Sequence, residues 1–273
     1  MEKLSDMQKV QLDLLRELDR VCRENGIRYY LAFGTCLGAL RHGGFIPWDD
    51  DIDVLMPYED TRKLLKIRKK FSDRYFLQSK ETDRNYESIA MRLRDSETTL
   101  IEKDDEGLDI NHGIYIDIYP YYNAPVTKVG LLINIWRSYL LKILVADRVP
   151  YNHGQLLKYL TRVVLWLFRN SDKKKISCYL RHKLADEKGG REILDYFGQD
   201  VTLLSAITYP KEWFGEPKLV EFEGELFYAP TEPEKYMTRR YGDYMKLPPE
   251  EDRVKHHSYV FMDAHKSYRD YNK

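Results

Sequence analysis

The chain has 273 residues, enough for one large domain or two small ones, and 43% of them are hydrophobic, which supports a sizeable core. Its 44 Lys and Arg balance 44 Asp and Glu, so no nucleic-acid partner is expected. Three cysteines without a CxxC spacing suit a reducing compartment, and the charged N-terminus does not resemble a secretory signal. No stretch of about 20 uncharged apolar residues occurs, so we expect a cytoplasmic protein without a spanning helix.

The first half of the chain alternates helices with short strands. Ser5 and Gln8 form a capping box for an amphipathic helix that ends at Asn25-Gly26. Further along, the pattern predicts a strand at 27–33, a turn at Gly34-Thr35 with a helix at 36–42, an acidic strand at 51–56, a basic helix at 57–71, and strands at 89–94 and 113–121. We therefore predict the α+β class, with a mixed sheet in residues 1–125.

The middle of the chain is predicted to be helical and basic, with helices at 129–147 and 155–169. Residues 126–188 contain 13 Lys or Arg against four Asp or Glu, interleaved with Trp and Tyr. One interpretation is a surface that rests on anionic lipid, giving peripheral membrane contact. The other is a helical subdomain whose apolar side packs on the sheet, and the two are compatible.

The last third returns to strands. Residues 218–222 and 225–229 predict a hairpin around Glu223-Gly224. Thr231 and Glu234 predict a second capping box, opening a helix that ends at Tyr241-Gly242. We thus divide the chain into a core at 1–125, a helical subdomain at 126–190, and a C-terminal part at 191–273 that completes the active site.

The run from Arg41 to Pro57, RHGGFIPWDDDIDVLMP, carries the clearest chemical signal. In the predicted strand, Asp51 and Asp53 alternate with Ile52 and Val54, so two carboxylates share one face while the other face enters a core. Two like charges held this close are unfavourable unless a cation binds between them. Because Mg²⁺ uses one or two carboxylates together with substrate phosphates, we predict a site for Mg²⁺ (or Mn²⁺) against a phosphate.

Other residues can converge on this pair. Asp117 alternates with isoleucines on its own strand, and it could ligate metal or accept a proton. Gly34 and Thr35 stand at a helix N-terminus, which favours phosphate. Further candidate contacts to the donor are basic: Arg41, His42, Arg92, Arg94, His256 and His257. Each of these also has an ordinary structural or surface interpretation.

These blocks together resemble the LicD family. The resemblance rests on the Gly-Thr turn, the run at 41–57, MRLRDSETT at 91–99, GIYIDIYP at 113–120 and YGDYMKLPPEEDRVKHH at 241–257, all in order. It implies a nucleotidyltransferase-like fold and transfer of phosphocholine from CDP-choline to a sugar hydroxyl of a cell-surface glycan. It also implies that Asp51 and Asp53 are metal ligands and that Asp117 is the third carboxylate.

Several alternatives remain open. Fukutin-related proteins share the core and use other phospho-alditol donors, so the transferred group could be phosphoethanolamine, glycerol phosphate or ribitol phosphate. A second class is a small-molecule nucleotidyltransferase, and a third is a non-catalytic membrane-associated scaffold. The resemblance favours a lipid-linked glycan acceptor, which would place the protein at the inner face of the cell membrane.

Overall fold

The computed structural model describes residues 4–103, 105–149, 154–187, 190–198, 205–253 and 259–271. Within them the helices are α1 (Asp6–Glu24), α2 (Phe33–His42), α3 (Tyr58–Lys66), α4 (Lys128–Ala146), α5 (Gln155–Leu167), α6 (Lys173–Ala185) and α7 (Pro233–Tyr241). The strands are β1 (Tyr30–Leu31), β2 (Asp53–Pro57), β3 (Tyr75–Gln78), β4 (Met91–Asp95), β5 (Thr99–Glu102), β6 (Ile114–Asn123), β7 (Glu192–Asp195), β8 (Tyr209–Pro210), β9 (Lys218–Phe222), β10 (Glu225–Ala229) and β11 (Tyr259–Asp263).

The main sheet is mixed. Its strands run in the order β1-β2-β6-β4-β3, and the far end of β6 also pairs with β7, which continues to β8. The β2–β6 pair is parallel, whereas the other pairs are antiparallel. Two further two-stranded sheets, the β9–β10 hairpin and the β5–β11 pair, lie outside this sheet. The predicted combination of helices with a mixed sheet is confirmed.

Helix α1 forms as the sequence predicts. The Ser5 hydroxyl accepts from the Gln8 amide N–H, and the Gln8 side chain accepts from the Ser5 amide, which completes the capping box. Leu14, Leu15 and Leu18 are fully buried on one face, and α1 packs against β6 and β4. The helix therefore covers one face of the sheet and fixes the strands that carry the candidate site.

Three predicted boundaries around the site are wrong. The strand at 27–33 is only Tyr30–Leu31, and α2 begins at Phe33, so Gly34 and Thr35 lie inside its first turn. β2 begins at Asp53 rather than Asp51. The helix at 57–71 ends at Lys66, followed by a separate short 3₁₀ turn. In each case the pattern indicates the correct type of element but not the residue at which it begins or ends, since a local pattern specifies element boundaries least well.

Some of the predictions for the C-terminal elements are confirmed and others are wrong. The hairpin pairs Glu225 with Phe222 around the predicted turn. The second capping box is wrong, because the Thr231 hydroxyl donates instead to the Glu216 carbonyl at 2.7 Å. Glu232 occupies the N-cap position of α7, with Pro233 at the start of the helix.

The middle segment builds a second core. Helices α4 and α6 pack together and against the ends of β6 and β7, and the shared buried cluster is Tyr122, Ala124, Ile135, Leu141, Leu144, Val145, Leu180, Leu184, Leu194 and Tyr196. One side of α4 thus packs on the sheet. Helix α6 was not predicted. By length and composition alone, α4 is the one helix in the described residues that could cross a membrane, although a third of its apolar window is buried.

Candidate active site

Three charged residues stand in one row across the sheet. In the parallel β2–β6 pair Asp53 lies opposite Asp117, and in the antiparallel β4–β6 pair Asp117 lies opposite Arg92. Residues directly opposite one another in neighbouring strands point to the same face. The sheet therefore holds two carboxylates and a guanidinium side by side, starting at the first residue of β2.

Asp53 lies in an environment that opposes its negative charge. Its side chain is buried, and its Oδ1 atom has no hydrogen-bond partner among the described residues. Burial raises the pKa of Asp53 well above its usual 3.8, and the neighbouring carboxylates of Asp51, Asp117 and Asp49 raise it further. Such crowding of acidic groups around an unsatisfied buried oxygen favours the binding of a cation.

Asp117 is held by Arg92, which is itself the centre of a buried ion-pair network. The Arg92 guanidinium lies 3.0 Å from Asp117, 2.6 Å from Glu102 and 3.3 Å from Asp105. It also lies over the Tyr115 ring, 3.7 Å from the centroid. Burial raises the pKa of Asp117 even though Arg92 opposes that shift. Arg92 therefore fixes the direction of the Asp117 carboxylate.

Arg94 is placed differently from Arg92. Its side chain is fully buried, and it donates to the Gln78 side chain at 2.5 Å and to the Gly113 carbonyl at 2.7 Å. These contacts tie β4 to β3 and to the start of β6. Its burial separates it from solvent, so the position favours a structural role over contact with a donor phosphate.

The start of α2 supports the acidic row directly. The Thr35 hydroxyl accepts the Asp53 amide N–H at 2.8 Å, so this buried side chain fixes the first residue of β2. A Cβ atom on Gly34 would lie 2.4 Å from an Asp49 carboxylate oxygen, so a larger residue here would displace the Asp49 side chain. The structure thus brings Gly34 and Thr35 to the acidic residues, with Asp49 beside the helix N-terminus.

The other predicted contacts lie elsewhere or outside the described residues. Arg41 and His42 are at the far end of α2, where Arg41 donates to the Tyr244 carbonyl at 2.9 Å and the His42 ring stands edge-on to Trp48. Burial and the charge of Arg41 lower the pKa of His42. His256 and His257 lie outside the described residues.

Sequence reasoning missed Arg240, in the last turn of α7. Its guanidinium lies over the Phe33 ring, 4.3 Å from the centroid, and its charge opposes the rise that burial causes in the pKa values of Asp53 and Asp195. Phe33 itself has φ of +46°, in the left-handed region that side chains rarely adopt. The one signal in the sequence was its position beside the Tyr241-Gly242 block.

A second missed residue, Glu223, clamps the loop that leads to the aspartates. Its amide donates to the Gly43 carbonyl at 2.8 Å, and its carboxylate accepts the Phe45 amide N–H at 2.9 Å. A Cβ on Gly44 would meet the same carboxylate at 1.9 Å. The Gly43-Gly44 pair and the Glu223-Gly224 turn were visible in the sequence, but their contact depends on the tertiary fold.

The carboxylates suit a hard divalent cation only in part. Among the described residues, no three His, Cys, Asp or Glu side chains already stand at metal-binding separations. A Mg²⁺ ion, however, is commonly bound by one or two carboxylates with the remaining ligands from substrate phosphate and water. Asp53, with its unsatisfied oxygen, and its neighbour Asp51 fit that pattern. Asp117, held by Arg92, is the less accessible carboxylate.

The fold and site thus define a mixed-sheet α+β protein with a buried acidic row across the parallel strand pair. The predicted resemblance is confirmed: residues 26–136 match the family model described as LicD/FKTN/FKRP, nucleotidyltransferase domain. The chain is 27% identical to the lipopolysaccharide cholinephosphotransferase LicD of Haemophilus influenzae, over 93% of this chain and 96% of that protein. It is also 31% identical to the human ribitol 5-phosphate transferase FKRP, over 43% of this chain and 22% of that protein.

Proposed function

We propose that this protein transfers phosphocholine from CDP-choline to a sugar hydroxyl of a cell-surface glycan and releases CMP. The observation that carries the proposal is the row in which Asp53, with its unsatisfied buried oxygen, lies opposite Asp117. The similarity to a lipopolysaccharide cholinephosphotransferase over nearly the whole of both chains supports the transferred group. The same proposal includes a nucleotidyltransferase-like fold. In it, residues 1–125 form the core, residues 126–190 form the helical subdomain, and the remainder completes the site.

The chain's own residues supply positioning and proton transfer. Asp51 and Asp53 would hold Mg²⁺ or Mn²⁺, which when bound neutralises charge on the donor pyrophosphate. Asp117 accepts the proton of the acceptor hydroxyl, and its raised pKa makes it a better base than an ordinary exposed aspartate. The hydroxyl oxygen forms a bond to the phosphorus next to choline, while the bond from that phosphorus to the oxygen of CMP breaks.

Other residues hold this geometry. Arg92 fixes the direction of Asp117, and the Thr35 hydroxyl fixes the backbone of Asp53. Arg240, whose charge opposes the rise in the pKa of Asp53, adds positive charge beside Phe33 that would help to stabilise donor phosphates. Preorganised charge of this kind provides most of the acceleration in phosphoryl transfer.

A second candidate donor is CDP-ribitol. The similarity to a ribitol 5-phosphate transferase covers 43% of this chain, and it supports the shared chemistry of phosphate-group transfer more than the choline group. CDP-ethanolamine and CDP-glycerol are further members of the same donor class. We propose a lipid-linked glycan precursor as acceptor, with the protein acting in the cytoplasm at the inner face of the membrane.

The test is release of CMP by purified protein with Mg²⁺ and, separately, CDP-choline, CDP-ethanolamine, CDP-glycerol or CDP-ribitol, with a glycan acceptor supplied. We expect release from CDP-choline, lost in both Asp51→Asn and Asp117→Asn and retained in Asp73→Asn, an exposed aspartate outside the site. Release from CDP-ribitol alone would select the second candidate. Pyrophosphate release from a nucleoside triphosphate, or full activity in both site variants, would overturn the proposal.

A further inference from the structure

Positive charge is segregated into the helices of the second core. Residues 128–187, from α4 through α6, contain 12 Lys or Arg and 4 Asp or Glu. Of the 44 basic and 44 acidic residues in the chain, this leaves 32 basic and 40 acidic residues in the rest. A neutral protein is therefore divided into a basic segment and an acidic remainder, and the basic segment is the part that would be drawn to an anionic surface.

The same segment exposes an apolar face. Val129, Leu132, Ile133 and Trp136 recur at i, i+3, i+4 and i+7, so they lie on one side of α4. All four are exposed, and Val129 and Trp136 each leave 69% of their surface accessible. We refer to these four residues as the α4 stripe. Apolar side chains grouped in this way on a surface mark a site of interaction.

Helix α4 is fixed in the protein on its other side. Ile135, Leu141 and Leu144 are buried in the second core with α6 and the end of the sheet. In addition, the Asn134 amide donates to the Glu187 carboxylate at 3.3 Å, and Arg137 donates to the Asn134 side chain at 2.7 Å. Crossing a bilayer would require these contacts to be broken, so α4 is suited to lie along a membrane surface.

Helix α5 adds the side chains typical of a membrane interface. Trp166 and Leu167 at its end are exposed, and the Arg169 guanidinium lies 5.4 Å from the Trp166 ring centroid. Tryptophan is enriched at the level of lipid headgroups, and Arg and Lys bury their stems while their charged ends reach phosphate. Apolar and basic groups thus occur together on α5 as they do on α4.

We propose that α4 and α5 dock on an anionic bilayer, with the α4 stripe entering the boundary between headgroups and acyl chains. The Lys and Arg side chains of the segment contact the lipid phosphates around it. The net positive charge of the segment and the Trp and Arg side chains beside its apolar surface favour an anionic bilayer as the occupant, and binding of a second copy through its acidic remainder is an outcome of the test. Docking of this kind is independent of the reaction, so it can fail or succeed whether or not the proposed donor is correct.

The test is co-sedimentation of the full chain with vesicles of phosphatidylcholine containing 30–40% phosphatidylglycerol, about the range used to mimic an anionic leaflet, and with pure phosphatidylcholine. We expect binding to the anionic vesicles that falls at least tenfold in 1 M salt or without phosphatidylglycerol. The double variant Ile133→Asp/Trp136→Asp should lose at least tenfold in binding. Leu219→Asp/Leu226→Asp, which adds the same two negative charges to exposed residues of the β9–β10 hairpin, should bind as the unmodified chain does.

Three outcomes would overturn the proposal. The first is absence of binding to anionic vesicles at low salt. The second is a double variant that binds as strongly as the unmodified chain and unfolds at the same temperature. The third is self-association without vesicles that the double variant abolishes, which would assign the stripe to a second copy of the chain. Release of the bound protein by alkaline carbonate separates docking from insertion, and we expect release.

Discussion

The sheet buries charged side chains, whereas the helical segment exposes apolar side chains, and each is the reverse of the usual pattern of burial. Across β2, β6 and β4 the protein buries charge, with Asp53, Asp117 and Arg92 in one row. Along α4 it exposes apolar surface, with Val129 and Trp136 open to solvent. Charged groups are almost never buried unless paired, and grouped apolar surface is seldom exposed. Each departure lowers the stability of the isolated chain and therefore points to something that binds there.

The two regions also differ in how their unfavourable groups are compensated. Arg92 compensates part of the acidic row from within the protein, whereas the Asp53 oxygen has no hydrogen-bond partner in the described residues. Along the α4 stripe, no compensation is visible inside the described chain, and the excess of Lys and Arg in the same segment favours an external anionic surface. The comparison predicts that substitutions in the row change activity and folding, whereas substitutions in the stripe change neither.

The largest effect is expected for Asp53→Asn. Activity should fall on the order of 10³-fold, because the change removes a charge that would help hold the metal against the donor. In the absence of metal, however, the variant should be more stable. The raised folded-state pKa means that ionised Asp53 destabilises the fold progressively as pH rises above its ordinary 3.8. The measurement is thermal unfolding at pH 5 and pH 8, with and without Mg²⁺.

In that experiment the unmodified chain should be stabilised by Mg²⁺, and more so at pH 8 than at pH 5. Asp53→Asn should lose most of this stabilisation, while Asp73→Asn, on the surface, should keep it. A metal-free Asp53→Asn protein that unfolds at a lower temperature than the unmodified chain at pH 8 would contradict the interpretation that the row is electrostatically strained.

A large loss of stability is expected for Arg92→Met. Removing the guanidinium leaves the Asp117 and Glu102 carboxylates buried without their partner, and breaking a buried ion pair on one side costs about 3–5 kcal/mol. Urea denaturation at neutral pH measures the change. Arg68→Met, on an arginine of the 3₁₀ turn outside the network, is the control and should stay within about 0.5 kcal/mol.

The same network predicts a pH dependence. Burial alone would raise the pKa of Glu102, but Arg92 and the Tyr115 hydroxyl lower it to about 2, below its usual 4.5. The stabilisation from ionised Glu102 is thus present above pH 4.5 and is lost as the pH falls toward 2. Glu102→Gln should flatten the decline of stability across this interval, and an unchanged decline would contradict the role of the pair.

A smaller effect is expected for Thr35→Val. The substitution removes the acceptor of the Asp53 amide N–H and leaves that buried donor without a partner, which destabilises by about 1–3 kcal/mol. Activity should fall as well, since Asp53 is no longer held in position. Thr35→Ser keeps the hydroxyl and is the matched control. Equal loss in the two variants would show that the methyl group, not the hydrogen bond, is the important part of Thr35.

The smallest effect is expected for Trp136→Ala. Because this side chain is exposed on the α4 stripe, its removal should change the free energy of unfolding by less than about 0.5 kcal/mol. Turnover of a water-soluble acceptor should also be unchanged, since the stripe belongs to a different surface from the acidic row. A marked loss of either property would mean that Trp136 contributes to the fold or the site, and the contrast between the two regions would fail.

Much of this protein follows from the sequence by itself. Local signals were sufficient for the α1 capping box, the β9–β10 hairpin and the α+β class, because each depends on residues only a few positions apart. The order of the blocks from 34 to 257 also indicated the LicD-family resemblance, and the family match covers 26–136. The alternation at Asp53 and Asp117 correctly indicated strands with one acidic face, since side chains alternate along a strand.

Only the tertiary structure decided which of these residues meet. Strand pairing between distant segments determines three features of the site. These are the register of β2 on β6, the ion pairs of Arg92 with three carboxylates, and the separation of Arg41 from Asp53. The Arg240 and Glu223 contacts join segments more than 170 residues apart in the chain, so no local pattern could reveal them. The same holds for the α4 stripe: periodicity shows that a face is apolar, but only packing decides which face the core covers.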